Sequence, residues 1–493
     1  MDSYSTLCLG VGLIASTFVY LGRQEKRSSA SLPPGPKGLP FLGNVADLPQ
    51  TQPWITFSRF GEKYGGITYL TVLGKHIIVL NDPKYATEML DKKSRIYSDR
   101  PVLVMAGQLV GWDKGPALIP FCQTWSEYRR LFAQLMGTRS KIDAFNDLLY
   151  EETHTFMKHI LETPNSWQDH VRRYAGAIVL QIAYGYKAKE KDDQLVKLVD
   201  EAMENFSETT ASNAFLVDVF PSLQYVPAWF PGAGWKRKAL RYHKTLAEML
   251  EAPYEWVKQQ MVIGTANSCF VSRQLEAKPM SLEEESTIKW TAAGIYSVAH
   301  IEAFFLAMTL HVEAQQKAQA EMESVLGTGV LPTLTDRDRL PYFEAMFTEV
   351  YRCYPLAPTG LPHVCIQDDI HDGYFIPRGS IIFSNVWQFL HDPGTYSDPE
   401  KFSPERFIES PGHPKEKDPK DYVFGFGRRA CPGIHFADAS MWILLACLVA
   451  GFDIRPPVKD GKPVLPSGKF ADGSISHPEP FECMITPRPG TLQ

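Results

Sequence analysis

The chain has 493 residues, more than one small hydrophobic core usually supports, so one large domain or two fused domains are expected. Hydrophobic residues make up 44% of the sequence, enough for a sizeable interior, and the net charge of −6 gives no basic character that would indicate nucleic-acid binding. The eight cysteines are scattered without a CxxC pair, which argues against a disulfide framework or a structural zinc site and favours a reducing compartment.

The N-terminal segment differs from the rest of the chain. Residues 4–22 form an uncharged, mostly apolar run of 19 residues, long enough to cross a bilayer as a helix. Arg23, Lys26 and Arg27 follow this run, which places the bulk of the chain on the cytosolic side. The alternative is a cleaved signal peptide, but its positive charge would precede the apolar run rather than follow it.

A proline-rich stretch separates this segment from the body of the protein. Residues 32–44 contain four prolines, which fix φ and stiffen an extended spacer. We therefore predict a transmembrane anchor at 1–22, a basic flank and proline-rich hinge at 23–44, and a globular domain at 45–493. No internal repeat or linker divides this domain.

The globular part has mainly helical texture with a small β-rich part, an α+β class. Residues 67–72 and 76–80 are rich in β-branched side chains and predict a strand pair. A helix is predicted from Pro341 to Tyr354, and a last helix from near Pro432.

The longest predicted helix begins at Ser281, which has capping-box spacing with Glu284. No proline interrupts the sequence from there to about Leu326, and Gly327 can close the helix. Such a helix would span roughly 65 Å and would cross the whole domain.

A glycine-rich loop with one cysteine precedes the last predicted helix. Residues 424–433 read FGFGRRACPG, in which Gly425 and Gly427 permit tight turns and close approach to a flat ligand. Cys431 is placed at a helix entrance, where the helix dipole and free N–H groups lower a thiol's pKa. We therefore expect Cys431 to ionise readily and to be able to bind iron.

This loop resembles the cysteine-ligand loop of the cytochrome P450 superfamily, whose pattern is Phe-Gly-x-Gly-x-Arg-x-Cys-x-Gly, and all six specified positions match. The resemblance extends over nearly the whole chain. It implies the P450 fold, with the long central helix over the haem, and a haem b whose iron is bound by the Cys431 thiolate.

Other landmarks of the family follow in the same order. Glu349 and Arg352 lie at i,i+3 on the helix after Pro341, and the resemblance implies that Arg406 completes their structural cluster. It also implies a haem-binding set, in which the propionates are bound by arginine, tryptophan and histidine side chains: Trp125, Arg129, His363, Phe424, Arg429 and Cys431.

The resemblance implies a monooxygenase that uses dioxygen and electrons from a separate NADPH–cytochrome P450 reductase. The sequence contains neither a P-loop nor a GxGxxG fingerprint, so the electrons must come from another protein. Arg129, Arg130, Arg139 and Lys141 form a basic stretch that could bind an acidic donor, or could be a solvated helix face.

Two loops are unusually apolar. Residues 101–121 and 215–235 correspond to regions that cover the substrate in relatives, and the second carries aromatic residues before a basic cluster. It could contact a membrane surface, or its aromatic residues could belong to the core. This interpretation predicts a small lipophilic substrate that enters from the bilayer. The resemblance, which is to fungal members of the family, implies hydroxylation or epoxidation of a substrate such as a terpenoid in secondary metabolism, at the endoplasmic reticulum membrane.

The sequence departs from the family where an acid–alcohol pair should deliver protons. Residues 293–297 read Ala-Gly-Ile-Tyr-Ser, with Ser297 in place of the family's threonine. Comparison with related fungal sequences indicates that some six residues are missing after Ser297. Ser297 and His300 share a helix face and could form a substitute relay. Three alternatives stay open: a working monooxygenase, a haem-thiolate isomerase or dehydratase without oxygen insertion, and a catalytically impaired haem-binding protein.

Overall fold

The structure of the protein is a computed structural model. This structure describes residues 30–49, 51–211, 215–277, 280–294 and 299–490. The predicted anchor at 1–22 lies outside the described residues, so it stays a prediction.

Helices make up most of the described chain, as the sequence predicts. The longer ones are α1 (Pro53–Tyr64), α2 (Gln123–Met136), α3 (Asn146–Glu162), α4 (Trp167–Tyr184), α5 (Gln194–Thr210), α6 (Gly234–Val262), α7 (Phe270–Ala277), α8 (Leu282–Ala293), α9 (Ala299–Leu310), α10 (Val312–Leu326), α11 (Pro341–Cys353) and α12 (Ile434–Gly451). Shorter helical segments include Pro83–Ala86, Ser94–Tyr97, Val104–Val110, Trp112–Lys114, Arg139–Ile142, Leu216–Val219, Val386–Leu390 and Lys420–Val423.

The strands form one small four-stranded sheet and three two-stranded pairs within the described ranges. They are β1 (Ile67–Val72), β2 (Lys75–Leu80), β3 (His363–Val364), β4 (Asp369–His371), β5 (Tyr374–Ile376), β6 (Ile381–Ser384), β7 (Phe452–Arg455), β8 (Val458–Lys459), β9 (Lys462–Pro463) and β10 (Met484–Pro487).

The predicted hairpin is confirmed. β1 and β2 pair antiparallel, and Leu73 and Gly74 make a tight turn with φ of 49° and 80°. The larger sheet has the order β1-β2-β6-β3, in which β2 and β6 are parallel. The fold class predicted from the sequence, mainly α with a small β-rich part, is therefore confirmed.

The core is built around α12. Every residue from Met441 to Gly451 is buried, and the Trp442 ring packs edge-on against Phe343 of α11 at 5.5 Å. Among the described residues, α12 alone is long and apolar enough to cross a membrane, but 78% of it is buried inside the protein. This burial identifies α12 as a core helix.

The single helix predicted from Ser281 to about Leu326 is wrong. Its start is confirmed, because Ser281 and Glu284 form a complete capping box. However, α8 ends at Ala293, and the Gly294 N–H donates to carbonyl groups of the last turn. Residues 295–298 lie outside the described ranges, and the next helix begins at Ala299.

A second interruption lies between α9 and α10. His311 has φ −121° and ψ 58°, which is outside the helical region. Its imidazole stacks on the Phe402 ring, with the ring centres 4.3 Å apart and the planes nearly parallel at 6°. Helical propensity alone cannot anticipate this break, because a tertiary contact accompanies it.

Candidate active site

The loop of residues 424–433 is closed by its own backbone. The Cys431 N–H donates to the Phe424 carbonyl oxygen at 2.7 Å. Gly425 and Gly427 have φ of 78° and 50°, a left-handed conformation that glycine adopts without steric cost. A Cβ on Gly427 would lie only 2.3 Å from the Leu90 carbonyl oxygen. The close approach of this loop to Leu90 therefore requires glycine.

The Cys431 sulfur borders a cavity inside the protein. Cys431 is accessible to solvent, although protein atoms surround the thiol densely enough to desolvate it. Burial raises the pKa of the Cys431 thiol, although the Gly433 N–H and the Arg129 guanidinium act in the opposite direction. The thiolate thus needs a cationic partner on the cavity side, such as a metal centre.

Two expectations about this cysteine are corrected. Pro432 is not the first helical residue, because α12 begins at Ile434 and residues 432 and 433 form a turn. The predicted easy ionisation of Cys431 is also wrong for the protein alone. Desolvation outweighs the stabilisation of the thiolate by the Gly433 N–H and the Arg129 guanidinium.

Two predicted arginines border the same cavity. The Arg129 Nη1 donates to the Ala430 carbonyl at 2.5 Å. The Arg429 Nε and Nη2 donate to the carbonyls of Ser98 and Ile119 at 2.8 and 2.7 Å. Both guanidinium groups are thereby held in place by neutral acceptors.

A third arginine, Arg100, was not predicted. It is buried at the cavity wall, where its Nε donates to the Ala117 carbonyl at 3.0 Å and its Nη1 donates to the Leu361 carbonyl at 2.7 Å. In the sequence its only signal is its position directly before the apolar loop 101–121. That signal cannot be told from a surface arginine without the fold.

These three guanidinium groups have no carboxylate within ion-pair distance in the described part of the chain. Burial lowers the pKa of Arg100 to about 9 and that of Arg429 to about 10, and it also lowers the pKa of Arg129. Arg100 and Arg429 therefore remain protonated at neutral pH. Asp99 attracts Arg100 and Arg429 from beyond ion-pair distance and offsets part of their charge. The lining of the cavity still contains three arginines and no carboxylate, which suits a ligand with carboxylate groups.

Trp125, His363 and Phe424 also line the cavity. The Trp125 ring lies 5.0 Å from the Arg429 guanidinium carbon. The His363 Nδ1 donates to the Tyr97 carbonyl at 2.7 Å, and burial holds the pKa of His363 well below its usual range. The ring is therefore neutral, with its one N–H already used, so the predicted hydrogen bond to a propionate requires protonation of His363.

The predicted structural cluster is brought together away from solvent. The Arg352 guanidinium makes a two-point contact with the Glu349 carboxylate at 2.8 and 2.9 Å, and the Arg406 Nε lies 3.1 Å from the same carboxylate. Arg352 also donates to the carbonyls of Leu390 and Pro399 at 2.9 and 2.8 Å. These contacts fix α11 to the segment that leads into the cysteine loop.

Ser297, the predicted proton-relay residue, lies outside the described residues. Gly294 borders the cavity, and a Cβ there would lie 3.0 Å from the Phe132 ring. The His300 ring is fully buried and stacks on Tyr351 at 4.0 Å, and neither of its nitrogens is hydrogen-bonded to another described residue. His300 is not among the residues that border the cavity.

The residues of the cavity fit a flat, dianionic iron porphyrin. Cys431 lines the cavity and can bind a metal, three guanidinium groups can bind two carboxylates, and aromatic rings line the walls. The described ranges contain no cluster of three His, Cys, Asp or Glu side chains that could hold a metal ion without such a ligand.

The two loop glycines provide a test of the cysteine loop. Replacement of Gly425 by alanine adds only the left-handed backbone cost of about 1–2 kcal/mol, because the nearest atom to a Cβ there is 3.7 Å away. Replacement of Gly427 adds the clash with the Leu90 carbonyl, so we expect a loss of about 3 kcal/mol or more in the free energy of unfolding. Denaturant titration of both variants measures the difference, and equal losses would contradict this description of the loop.

The chain resembles known proteins over nearly its whole length. Residues 33–484 match the family model "Cytochrome P450". Cytochrome P450 monooxygenase 208 of Postia placenta is 50% identical over 483 residues, which cover 97% of this chain and 94% of the relative. Cytochrome P450 monooxygenase claR of Ampulloclitocybe clavipes is 42% identical, with coverage of 98% and 91%. Tryptamine 4-monooxygenase of Psilocybe cyanescens is 36% identical, with coverage of 98% of both chains. The chain therefore belongs to the cytochrome P450 family and is a monooxygenase.

Proposed function

We propose that this monooxygenase hydroxylates or epoxidises a small lipophilic metabolite, such as a terpenoid, in fungal secondary metabolism. In this proposal the Cys431 thiolate binds the iron of haem b, and an NADPH–cytochrome P450 reductase supplies the electrons. The observation that carries it is the cavity that Cys431 lines together with three arginines and no carboxylate. The similarity to fungal monooxygenases supports the reaction class.

The side chains around the cavity have separate tasks in this proposal. Haem, when bound, activates dioxygen, and its thiolate ligand favours cleavage of the O–O bond. Arg100, Arg129 and Arg429 would hold the propionates by charge-assisted hydrogen bonds. The Gly433 N–H would donate to the Cys431 sulfur and so tune its donor strength. Ser297 remains the proposed relay residue.

An apolar cavity between the four-stranded sheet and the end of α5 supports a lipophilic substrate. Its walls are mostly aliphatic and aromatic, and they include Leu70, Val72, Val102, Leu103, Val219 and Phe383. A polar substrate would lose hydration against these apolar walls and would gain few hydrogen bonds in return. One relative, tryptamine 4-monooxygenase, is named for its substrate tryptamine, which contains an indole ring.

Part of the basic stretch remains available for a reductase. Arg129 is excluded, because its guanidinium is turned inward to Ala430, and Arg130 pairs with Glu127 at 2.8 Å. Arg139 and Lys141 are exposed beyond the end of α2. We therefore assign the docking of an acidic electron donor to the surface around these two residues.

Turnover with a reductase tests the proposed function. We expect the haem-loaded full chain to give a red-shifted Soret band in its reduced carbon monoxide complex. With NADPH–cytochrome P450 reductase and a panel of terpenes, we expect NADPH-dependent dioxygen use and transfer of ¹⁸O from labelled dioxygen into a product. The control reaction omits the reductase.

A red-shifted Soret band without any dioxygen use would contradict oxygen insertion and favour an isomerase or dehydratase. If insertion of six residues after Ser297 then restored dioxygen use, the natural chain would be the impaired haem-binding protein.

A membrane-facing surface supports the proposed location at the cytosolic face of the endoplasmic reticulum. Large apolar side chains are exposed in the segment between α5 and α6, including Leu216 at 70%, Tyr225 at 81% and Trp229 at 78%. Single exposed apolar residues are common, but several in one segment indicate an interaction surface. We place this segment in the membrane interface, beside the proposed anchor at 1–22.

Hydrogen exchange tests this placement. We expect backbone amides of residues 216–230 to be protected when the full chain is moved from detergent into phospholipid nanodiscs, because lipid excludes water. The exposed Val262 and Ile263 at the other end of α6 serve as the internal control and should not change. Equal protection of both segments would contradict the proposed orientation.

A further inference from the structure

Two oppositely charged side chains join the two ends of the cysteine loop. Lys420 begins the short helix that leads directly into residues 424–433. Asp438 lies in α12, seven residues after Cys431. The Lys420 Nζ is 2.9 Å from the Asp438 carboxylate, and the two side chains have exposed fractions of only 18% and 12%. One ion pair therefore closes the stretch of chain that carries Cys431.

The same ion pair is tied to α11. The Lys420 Nζ also lies 3.4 Å from the carboxylate of Glu344 in α11, so the lysine bridges two carboxylates. The Arg337 guanidinium makes a two-point contact with Glu344 at 2.9 and 2.8 Å, and its Nη1 donates to Asp438 at 2.5 Å. Two cations and two carboxylates thus alternate in a four-charge cluster, in which each group contacts both opposite charges. This cluster joins α11 to both ends of the cysteine loop.

The four-charge cluster lies against aromatic rings. The Phe347 ring of α11 is 5.8 Å from the Arg337 guanidinium carbon and 5.4 Å from the Lys420 Nζ. Desolvation acts to raise the pKa of Asp438, but Arg337 and Lys420 hold this pKa below its usual value. Asp438 is therefore ionised at neutral pH, and its attraction to Lys420 is screened less than that of an exposed ion pair.

The cluster acts on Cys431 through the backbone. Besides burial, the groups that shift the pKa of Cys431 are the Gly433 N–H and the Arg129 guanidinium, and none of the four charges is among them. The position of the sulfur, however, depends on where the loop begins and ends. A contact that joins the two ends of a chain segment restricts the conformations of every residue between them.

We propose that Lys420 and Asp438 are positioning residues for the haem-iron ligand, which hold the Cys431 sulfur in the place from which it binds the iron. Glu344 and Arg337 anchor this pair to α11. When the pair is broken, the ends of the loop separate more easily and the thiolate leaves the iron more often. This inference rests on the proposed function, because it assumes that Cys431 binds the haem iron.

The lifetime of the iron–sulfur bond tests this role. In the reduced carbon monoxide complex a bound thiolate gives the red-shifted Soret band, and loss or protonation of the thiolate returns the band to its unshifted position. In mild denaturant we expect the haem-loaded Lys420→Met chain to lose the red-shifted band about tenfold faster than the wild-type chain, the effect of one part-buried ion pair. Far-UV circular dichroism of the same samples should show that the chain stays folded during this loss.

Lys289→Met is the matched control. The Lys289 Nζ also bridges two carboxylates, those of Glu251 and Glu285 at 2.7 and 2.9 Å, and the side chain is 13% exposed. This lysine joins α8 to α6 and has no contact partner in common with Lys420. We expect its band to be lost at the wild-type rate to within about twofold, because ion pairs without shared partners act independently.

Asp438→Asn breaks the pair from its other side. We expect this variant to lose the red-shifted band at least as fast as Lys420→Met, because Asp438 also pairs with Arg337. Addition of Lys420→Met to Asp438→Asn should change the rate by no more than about twofold, since the pair is already broken. A further increase of about tenfold would show that the two side chains act separately and would contradict the proposal.

The proposal is overturned if Lys420→Met keeps the wild-type rate or if Lys289→Met accelerates the loss equally. If Lys420→Met does not fold, Asp438→Asn takes its place in the comparison with Lys289→Met. A wild-type chain without any red-shifted band would refute Cys431 as the iron ligand and this inference with it. A wild-type band whose lifetime the variants leave unchanged would refute the positioning role alone.

Discussion

The candidate site depends on one constraint, which is that charged side chains are buried around a single cavity. Arg100, Arg129 and Arg429 are held by carbonyl oxygens, which orient the guanidinium groups without neutralising them. Near these arginines, desolvation disfavours ionisation of the Cys431 thiol. A dianionic ligand with a cationic metal centre would offset both costs, because its carboxylates would pair with the arginines and its metal would stabilise the thiolate. Binding of such a ligand would therefore be coupled to the stability of the fold.

Other contacts in the fold hold these side chains in position. The Glu349, Arg352 and Arg406 cluster joins α11 to the segment before the cysteine loop, and Gly427 lets that loop approach Leu90. Since the cluster is fully buried, loss of one member would leave charge unpaired in the interior. The sulfur is therefore placed by contacts that lie far from it in sequence.

Local chemistry made much of this site predictable. Gly425 and Gly427 precede Cys431 at positions where the backbone is left-handed, a conformation that favours glycine in any protein. The capping box at Ser281 is a local hydrogen-bond pattern that the structure contains. Non-local contacts were not predictable. The break at His311 accompanies stacking on Phe402, and the inward turn of Arg129 depends on Ala430, about three hundred residues away.

The pKa of Cys431 was also not predictable from the sequence, because it depends on non-local contacts. A helix entrance lowers a thiol's pKa in isolation, but burial, which the sequence does not reveal, reverses the sign. An aromatic cluster of Trp112, Phe206 and Trp290 is also non-local, since three separate segments build it. The packing of the loops is therefore not readable from local sequence, whereas one short motif indicates the reaction class.

The most direct measurement is the absorption spectrum of the reduced carbon monoxide complex in two cysteine variants of the haem-reconstituted full chain. Cys431→Ala should lose the red-shifted Soret band, whereas Cys447→Ala, which removes a fully buried thiol in the middle of α12, should keep it. Retention of the band in Cys431→Ala would contradict the assignment of this sulfur as the iron ligand.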